Sequence, residues 1–201
     1  MKYTELRKKI SAPVFTLQDL RLRGQKVFSY QLSLWQKHGY ILKIKNGLYA
    51  FEEELSNIMP EQISPLLYSP SYISLEKALS IYSFIPEMVY TFTAVTPRTT
   101  RHFKNKLGSF LYRHIKPALF FGYNEIDKEG HKYLLAEPEK ALLDFIYFNL
   151  DKIKSSEDIS AFRFNRAAVR KAISNSKMRR YLARFNNPKM TKIIRLIIEG
   201  K

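Results

Sequence analysis

FSYQLSLWQKHGYILKIKNGLYAF, residues 28–51, is the stretch whose pattern decides the fold. Phe28, Leu32 and Trp35 recur at i, i+4 and i+7, which at about 100° per residue puts them in one apolar stripe of a short helix. Lys26, Tyr30, Ser33 and Lys37 fall on the opposite side of the same wheel. His38-Gly39 supplies the stop, because glycine after a last turn adopts the left-handed conformation without steric penalty. Two alternating runs, Tyr40 to Lys45 and Leu48 to Phe51, then flank Asn46-Gly47, a hairpin signal that calls for positive φ at both turn residues. A helix with an apolar back and a basic, hydrogen-bonding front, followed by a basic-tipped hairpin, is the pattern of a winged helix-turn-helix.

Upstream residues complete the unit. Met1 to Ile10 predicts a first helix with Leu6 and Ile10 inward, and Pro13 ends it. Thr16 is a good cap for Leu17 to Leu22, where Leu17, Leu20 and, at the helix end, Leu22 face in; Gly24 makes the turn to the third helix. Glu52-Glu53-Glu54 then shifts the composition abruptly, so residues 1–51 are expected to form a DNA-binding domain.

The middle, residues 52–149, reads as α+β. Pro60, Pro65 and Pro70 interrupt any long helix, and Ser74 is placed to cap a helix from Leu75 to Tyr82. From Val89 to Thr96 the period changes to two with β-branched and aromatic residues, and Phe110 to Ile115, Ala118 to Tyr123 and His131 to Leu135 predict three further strands. Pro138 opens a mostly buried helix carrying Leu142, Leu143, Phe145, Ile146 and Phe148. Residues 150–201 read as helical: Asn165 can cap Arg166 to Ile173, Ser174-Asn175-Ser176 breaks the run before Met178 to Phe185, and Asn187-Pro188 starts a last helix striped by Met190, Ile193, Ile194 and Ile197. The expected fold class is therefore α+β: a winged helix-turn-helix, a small mixed-sheet domain and a basic helical C-terminal segment.

A chain of 201 residues with 14 Phe and 13 Tyr has ample material for a core. The absence of Cys excludes disulfides, thiolate chemistry and Cys-ligated zinc. No N-terminal apolar h-region and no run near 18 apolar residues occurs, so the expectation is a soluble, cytoplasmic protein. Net charge is +16, distributed as +8 over residues 1–51, −2 over 52–149 and +10 over 150–201. Two basic regions around a near-neutral middle point to a polyanion, since Lys and Arg facing phosphates release condensed counterions.

The candidate DNA-binding residues are Lys26, Ser29, Tyr30, Gln31, Ser33 and Lys37 on the third helix, with Lys43, Lys45 and Asn46 at the hairpin tip. Ser29, Tyr30, Gln31 and Ser33 are expected to reach base edges, and the lysines to hold phosphates. His38, His102, His114 and His131 are scattered without metal-ligand spacing, and no nucleophile elbow, P-loop or dinucleotide turn is present, so no cofactor or metal is implied. Glu137, Glu139, Lys140 and Asp144 form one acidic cluster that a metal-dependent nuclease could use; the plainer account is helix-dipole compensation by Glu137 and Glu139 and a capping or surface role for Asp144. The basic tail, including Arg163, Arg166, Arg170, Arg179, Arg180 and Arg184, either extends a DNA footprint, docks an acidic protein, or is a solvated face.

Four segments in order, LWQKHGYILKIKNGLYAF, YISLEKALSIYSFIP, VYTFTAVTPRTTRHF and LLAEPEKALLDFIYF, resemble the AbiEi-type antitoxins, transcriptional regulators of bacterial abortive-infection operons. The resemblance covers roughly residues 1–149. It implies a repressor whose winged helix binds the promoter of its own operon and whose C-terminal part neutralises a nucleotidyltransferase-like toxin without a stable complex. Lys26 to Lys37 would then be the recognition helix and Lys43 to Asn46 the wing. The implied function is DNA-binding regulation and not catalysis.

Overall fold

The computed structural model describes residues 1–199. Residues up to Phe51 form α1 (Tyr3–Lys9), β1 (Val14–Thr16), α2 (Leu17–Leu22), α3 (Ser29–Lys37), β2 (Ile41–Lys45) and β3 (Leu48–Phe51). β3 lies between β1 and β2 and is antiparallel to both. α2 begins where Thr16 and Asp19 satisfy each other's amides, Thr16 Oγ1 accepting from Asp19 N at 3.0 Å and Asp19 Oδ2 accepting from Thr16 N at 2.7 Å. Gly39, at φ +71°, ends α3, and the Tyr40 N–H reaches back to the Trp35 carbonyl at 2.9 Å. Leu6, Phe15, Leu20, Leu32, Trp35 and Phe51 close the core of this part.

Three local expectations are corrected. Phe28 is not in the buried stripe: it occupies the cap position before α3 and is 46% exposed. Leu22, the last residue of a six-residue helix, is 79% exposed, whereas Leu20 is buried in the core and Leu17 packs partly buried against it. In the β2–β3 hairpin only Gly47 has positive φ, at +80°, and the pairing register shifts between Lys43 and Lys45. The extra residue of that bulge lets Asn46 keep an ordinary backbone.

The chain continues through a 3₁₀ turn at Glu52–Asn57 into α4 (Pro60–Leu67), β4 (Tyr72–Ile73), α5 (Leu75–Ile81), β5 (Thr91–Thr96), β6 (Arg101–Asn105) and β7 (Gly108–His114). Then come β8 (Tyr123–Lys128), β9 (His131–Ala136), α6 (Pro138–Asn149), α7 (Ser156–Ala161), α8 (Arg166–Ala172), α9 (Asn175–Phe185) and α10 (Pro188–Glu199). The six strands order as β6-β7-β5-β4-β9-β8, with β5–β7 and β4–β9 parallel and the other pairs antiparallel, so the fold is α+β with a mixed sheet.

The period of two in β5 divides the molecule. Phe92 and Ala94 face a core shared with Phe110 and Tyr112 of β7, Ile63 and Leu67 of α4, and Ile44, Leu48 and Ala50 of the β2–β3 hairpin. Val95 faces the other core, where Leu142 and Ile146 of α6 meet Met178 and Tyr181 of α9 and Met190, Ile193, Ile194 and Ile197 of α10. Each of those large apolar side chains contributes roughly 1.5–3 kcal/mol by leaving water. The C-terminal helices thus form one wall of the principal core. The acidic run Glu52-Glu53-Glu54 ties neighbouring parts together: Arg7 of α1 pairs with Glu53 and Glu54, and Lys106 of the β6–β7 turn pairs with Glu52 at 2.6 Å.

Ala118 to Tyr123 is not a strand. Pro117–Leu119 forms a 3₁₀ turn, Gly122 sits at φ +71°, and the strand starts only at Tyr123. A Cβ at Gly122 would lie 3.0 Å from the Tyr181 ring and 3.2 Å from Lys140, so the chain needs glycine there to pass under α9. Among the described residues no helix is long and apolar enough to cross a membrane.

Candidate nucleic-acid interface

The outer face of α3 carries Tyr30, Ser33, Leu34 and Lys37 at i, i+3, i+4 and i+7, all exposed, with Ser29 at its first turn and exposed Lys26 just before it. Tyr30 is 66% exposed and stacks on Phe28, ring centroids 5.9 Å apart, while the Lys26 ammonium lies 5.1 Å from the Phe28 ring centre. Leu34 is 48% exposed in the middle of this surface. Sequence pattern alone missed it, since a leucine beside Trp35 counts first as core.

Gln31 departs from the expected role. It is 8% exposed, its Oε1 accepts from the Phe28 N–H at 3.0 Å, and its Nε2 donates to the Met1 carbonyl at 2.7 Å. The third position of a helix is where a Gln folds back onto the cap residue's amide, so its polar end is occupied inside the protein. Gln31→Ala is expected to lower stability by about 0.5–2 kcal/mol, as loss of a cap does, with base preference unchanged. Urea unfolding together with a binding profile over sequence-varied duplexes checks both halves of this expectation.

At the hairpin tip Lys43 and Asn46 are exposed, whereas Lys45 is half-buried and donates to the Leu67 carbonyl at 2.8 Å, at the C-terminal end of α4. Burial lowers the Lys45 pKa, and nearby Arg98 lowers it further. Arg98 in turn donates to the Ser69 carbonyl at 2.9 Å and lies 4.6 Å over the Tyr68 ring, which Arg101 approaches to 6.0 Å. The hairpin tip and the β5–β6 turn therefore form adjoining basic surface, a feature without sequence-local signal. The nine expected residues divide accordingly: Lys26, Ser29, Tyr30, Ser33 and Lys37 share the α3 surface, Lys43 and Asn46 lie on the hairpin, and Gln31 and Lys45 are engaged in internal hydrogen bonds.

No family model matches this chain, and no curated protein matches it.

The acidic cluster of α6 has a different character. Asp144 and Lys140 are fully buried and pair with one another, which removes the expected capping or surface role for Asp144. Asp144 Oδ2 also accepts from Tyr72 OH at 2.9 Å and Ser74 Oγ at 2.8 Å, and Lys140 Nζ donates to Tyr72 OH at 2.8 Å. Ser74 is thereby drawn away from capping α5. Burial pushes the Asp144 carboxyl above its usual range and Lys140 below its own, in each case against the pull of the partner. The Lys140 ammonium is enclosed by Tyr72, Phe121 and Phe185, at 5.4, 5.0 and 5.2 Å from their ring centres.

Glu139 is buried, and one of its oxygens accepts from the Ser174 N–H at 2.7 Å, while Glu137 accepts from Asn124, Lys177 and Tyr181. Burial raises the Glu137 pKa, but those hydrogen bonds together outweigh it and leave the carboxyl below its usual value. These contacts bind β8, α6 and α9 to one another. Among the described residues no group of three or more His, Asp or Glu is arranged to hold a metal ion.

Proposed function

We propose that this chain is a DNA-binding transcriptional regulator in which residues 1–51 act as a winged helix, α3 entering the major groove and the β2–β3 hairpin serving as the wing. One observation carries it: residues 20–51 hold six Lys and Arg and no Asp or Glu, and the exposed face of α3 and the hairpin tip both belong to that span. A helix nine residues long, roughly 14 Å, fits a B-form major groove about 12 Å wide when it lies obliquely in it. The resemblance to AbiEi-type antitoxins supports the further proposal that the DNA is the chain's own operator and that the chain neutralises a nucleotidyltransferase-like toxin.

The deciding experiment compares the purified protein on duplex from upstream of its own gene with a scrambled duplex at two salt concentrations. Tighter, steeply salt-dependent binding to the upstream duplex is expected; equal weak binding to both would overturn the proposal. Lys37→Ala combined with Lys43→Ala removes two phosphate contacts, so the slope of log K against log salt is expected to flatten by roughly 1.8 and affinity to fall on every sequence. Lys45→Ala is expected to do less, because its ammonium already serves the end of α4. An unaltered slope in the double variant would remove the α3 and wing assignments. Co-expression with the product of the adjacent gene tests the antitoxin half: growth arrest relieved by this chain supports it, and arrest unrelieved counts against it.

A further inference from the structure

We propose that the α3 surface reads DNA through thymine 5-methyl groups, with Tyr30 and Leu34 as the residues that set specificity. The inference rests on the DNA-binding proposal above and deepens it. Base edges in the major groove are discriminated most strongly by bidentate pairs, Arg or Lys on guanine or Asn and Gln on adenine. α3 presents a free group of that kind at its last turn, Lys37, and none at its centre. Gln31 is tied to Phe28 and Met1, Gln36 donates to the Leu32 carbonyl at 3.0 Å, and the helix contains no Arg or Asn.

What α3 does expose at its centre is apolar. Tyr30 and Leu34 lie one turn apart on the outward stripe, and Tyr30 is held in place by its stack on Phe28. The thymine methyl is the apolar feature that major-groove base edges offer, so it is the matching partner. The charges around the patch fit this occupant: Lys26 flanks one end and Lys37 the other, positioned for phosphates on either side of the groove, and no carboxylate lies within residues 20–51 to repel them. Ser29 and Ser33 supply hydroxyls that bond to many base edges and discriminate weakly.

The test uses the upstream duplex and the same duplex with every thymine replaced by deoxyuridine, which keeps base pairing and deletes the methyl. Burying one such group is worth about fourfold in affinity, so loss of two contacts is expected to weaken wild-type binding roughly fifteenfold. Leu34→Ala combined with Tyr30→Ser is expected to bind the thymine duplex more weakly and to bind both duplexes alike. Tyr30 is 66% and Leu34 48% exposed and neither belongs to the buried core, so the variant is expected to keep its fold, which its thermal melt verifies. Tight, sequence-specific binding that ignores the methyl would overturn this inference while leaving DNA binding standing, and would assign the apolar patch to a protein surface. Failure of the wild-type protein to prefer upstream over scrambled duplex would instead overturn the DNA-binding proposal and this inference with it.

Discussion

Asp144→Ala is expected to destabilise the protein by about 3–5 kcal/mol, a large part of the 5–15 kcal/mol available to an ordinary domain. The substitution leaves the Lys140 ammonium with no counter-charge in a site from which water is excluded, and it strips the Tyr72 and Ser74 hydroxyls of their acceptor. The directions of the two pKa shifts argue that the pair itself adds no net stability while both groups are charged. Burial raises the Asp144 pKa above 3.8 and lowers that of Lys140 below 10.5, so the fold disfavours both charged forms relative to the unfolded chain. By linkage, the Asp144 contribution is fully present below its unfolded value and is lost as pH rises through the folded one; the Lys140 contribution is present above its unfolded value and is lost as pH falls through the folded one. At a pH between the two folded values both groups are charged and both penalties apply. Replacing the whole unit with Tyr72→Phe, Lys140→Met and Asp144→Leu is therefore expected to restore most of the stability that Asp144→Ala removes. Urea midpoints of the three proteins decide: a triple variant as weak as the single one would mean that the ion pair is a net stabiliser.

The parts of the fold that could be read from sequence are those whose signals are local. The helices at Leu17–Leu22 and Ser29–Lys37, the β2–β3 hairpin and the caps at Asn165 and Asn187 follow from side chains acting within four residues of themselves. Strands β1, β4 and β6 left no such trace. β1 and β4 have three and two residues, too few to display a period, and β6 is a basic edge strand, RHFKN, with mostly exposed side chains. Pro60, Pro65 and Pro70 keep their stretch from forming a long helix, and what forms is the eight-residue α4, with Pro60 in its first turn and Pro65 inside it. The candidate site divides in the same way. The exposed face of α3 was legible because helical periodicity sorts Tyr30, Ser33 and Lys37 outward. Lys45 was misjudged because the Leu67 carbonyl that occupies it lies 22 residues away; at Gln31 the bond from the Phe28 N–H is local and could have been read from its place at the third helical position, whereas the Met1 carbonyl lies 30 residues away. Burial of Lys140 and Asp144 was illegible for that reason too, since Tyr72 and Ser74 reach them across about 70 residues.

Phe110→Ala is expected to cost about 3–5 kcal/mol and to weaken the N-terminal part as much as the sheet that contains it. Phe110 is fully buried in β7, its ring 5.1 Å from that of Phe92, and the core it occupies includes Ile44, Leu48 and Ala50 of the hairpin. A cavity there removes contacts from both sides at once. The chain carries its own reporter for this coupling: Trp35 is its single tryptophan and is buried in the N-terminal core, away from Phe110. Trp35 fluorescence consequently follows residues 1–51, while far-UV circular dichroism follows all the helices, most of which lie beyond them. If the shared core makes one cooperative unit, both probes give the same urea midpoint in the wild type and shift together in Phe110→Ala. A Trp35 transition that stays in place while the dichroism midpoint falls would show that the hairpin folds with α1–α3 alone. Because the hairpin would then be free to move relative to Arg98 and Arg101, the same outcome would also separate the basic surface of the hairpin from that of the β5–β6 turn.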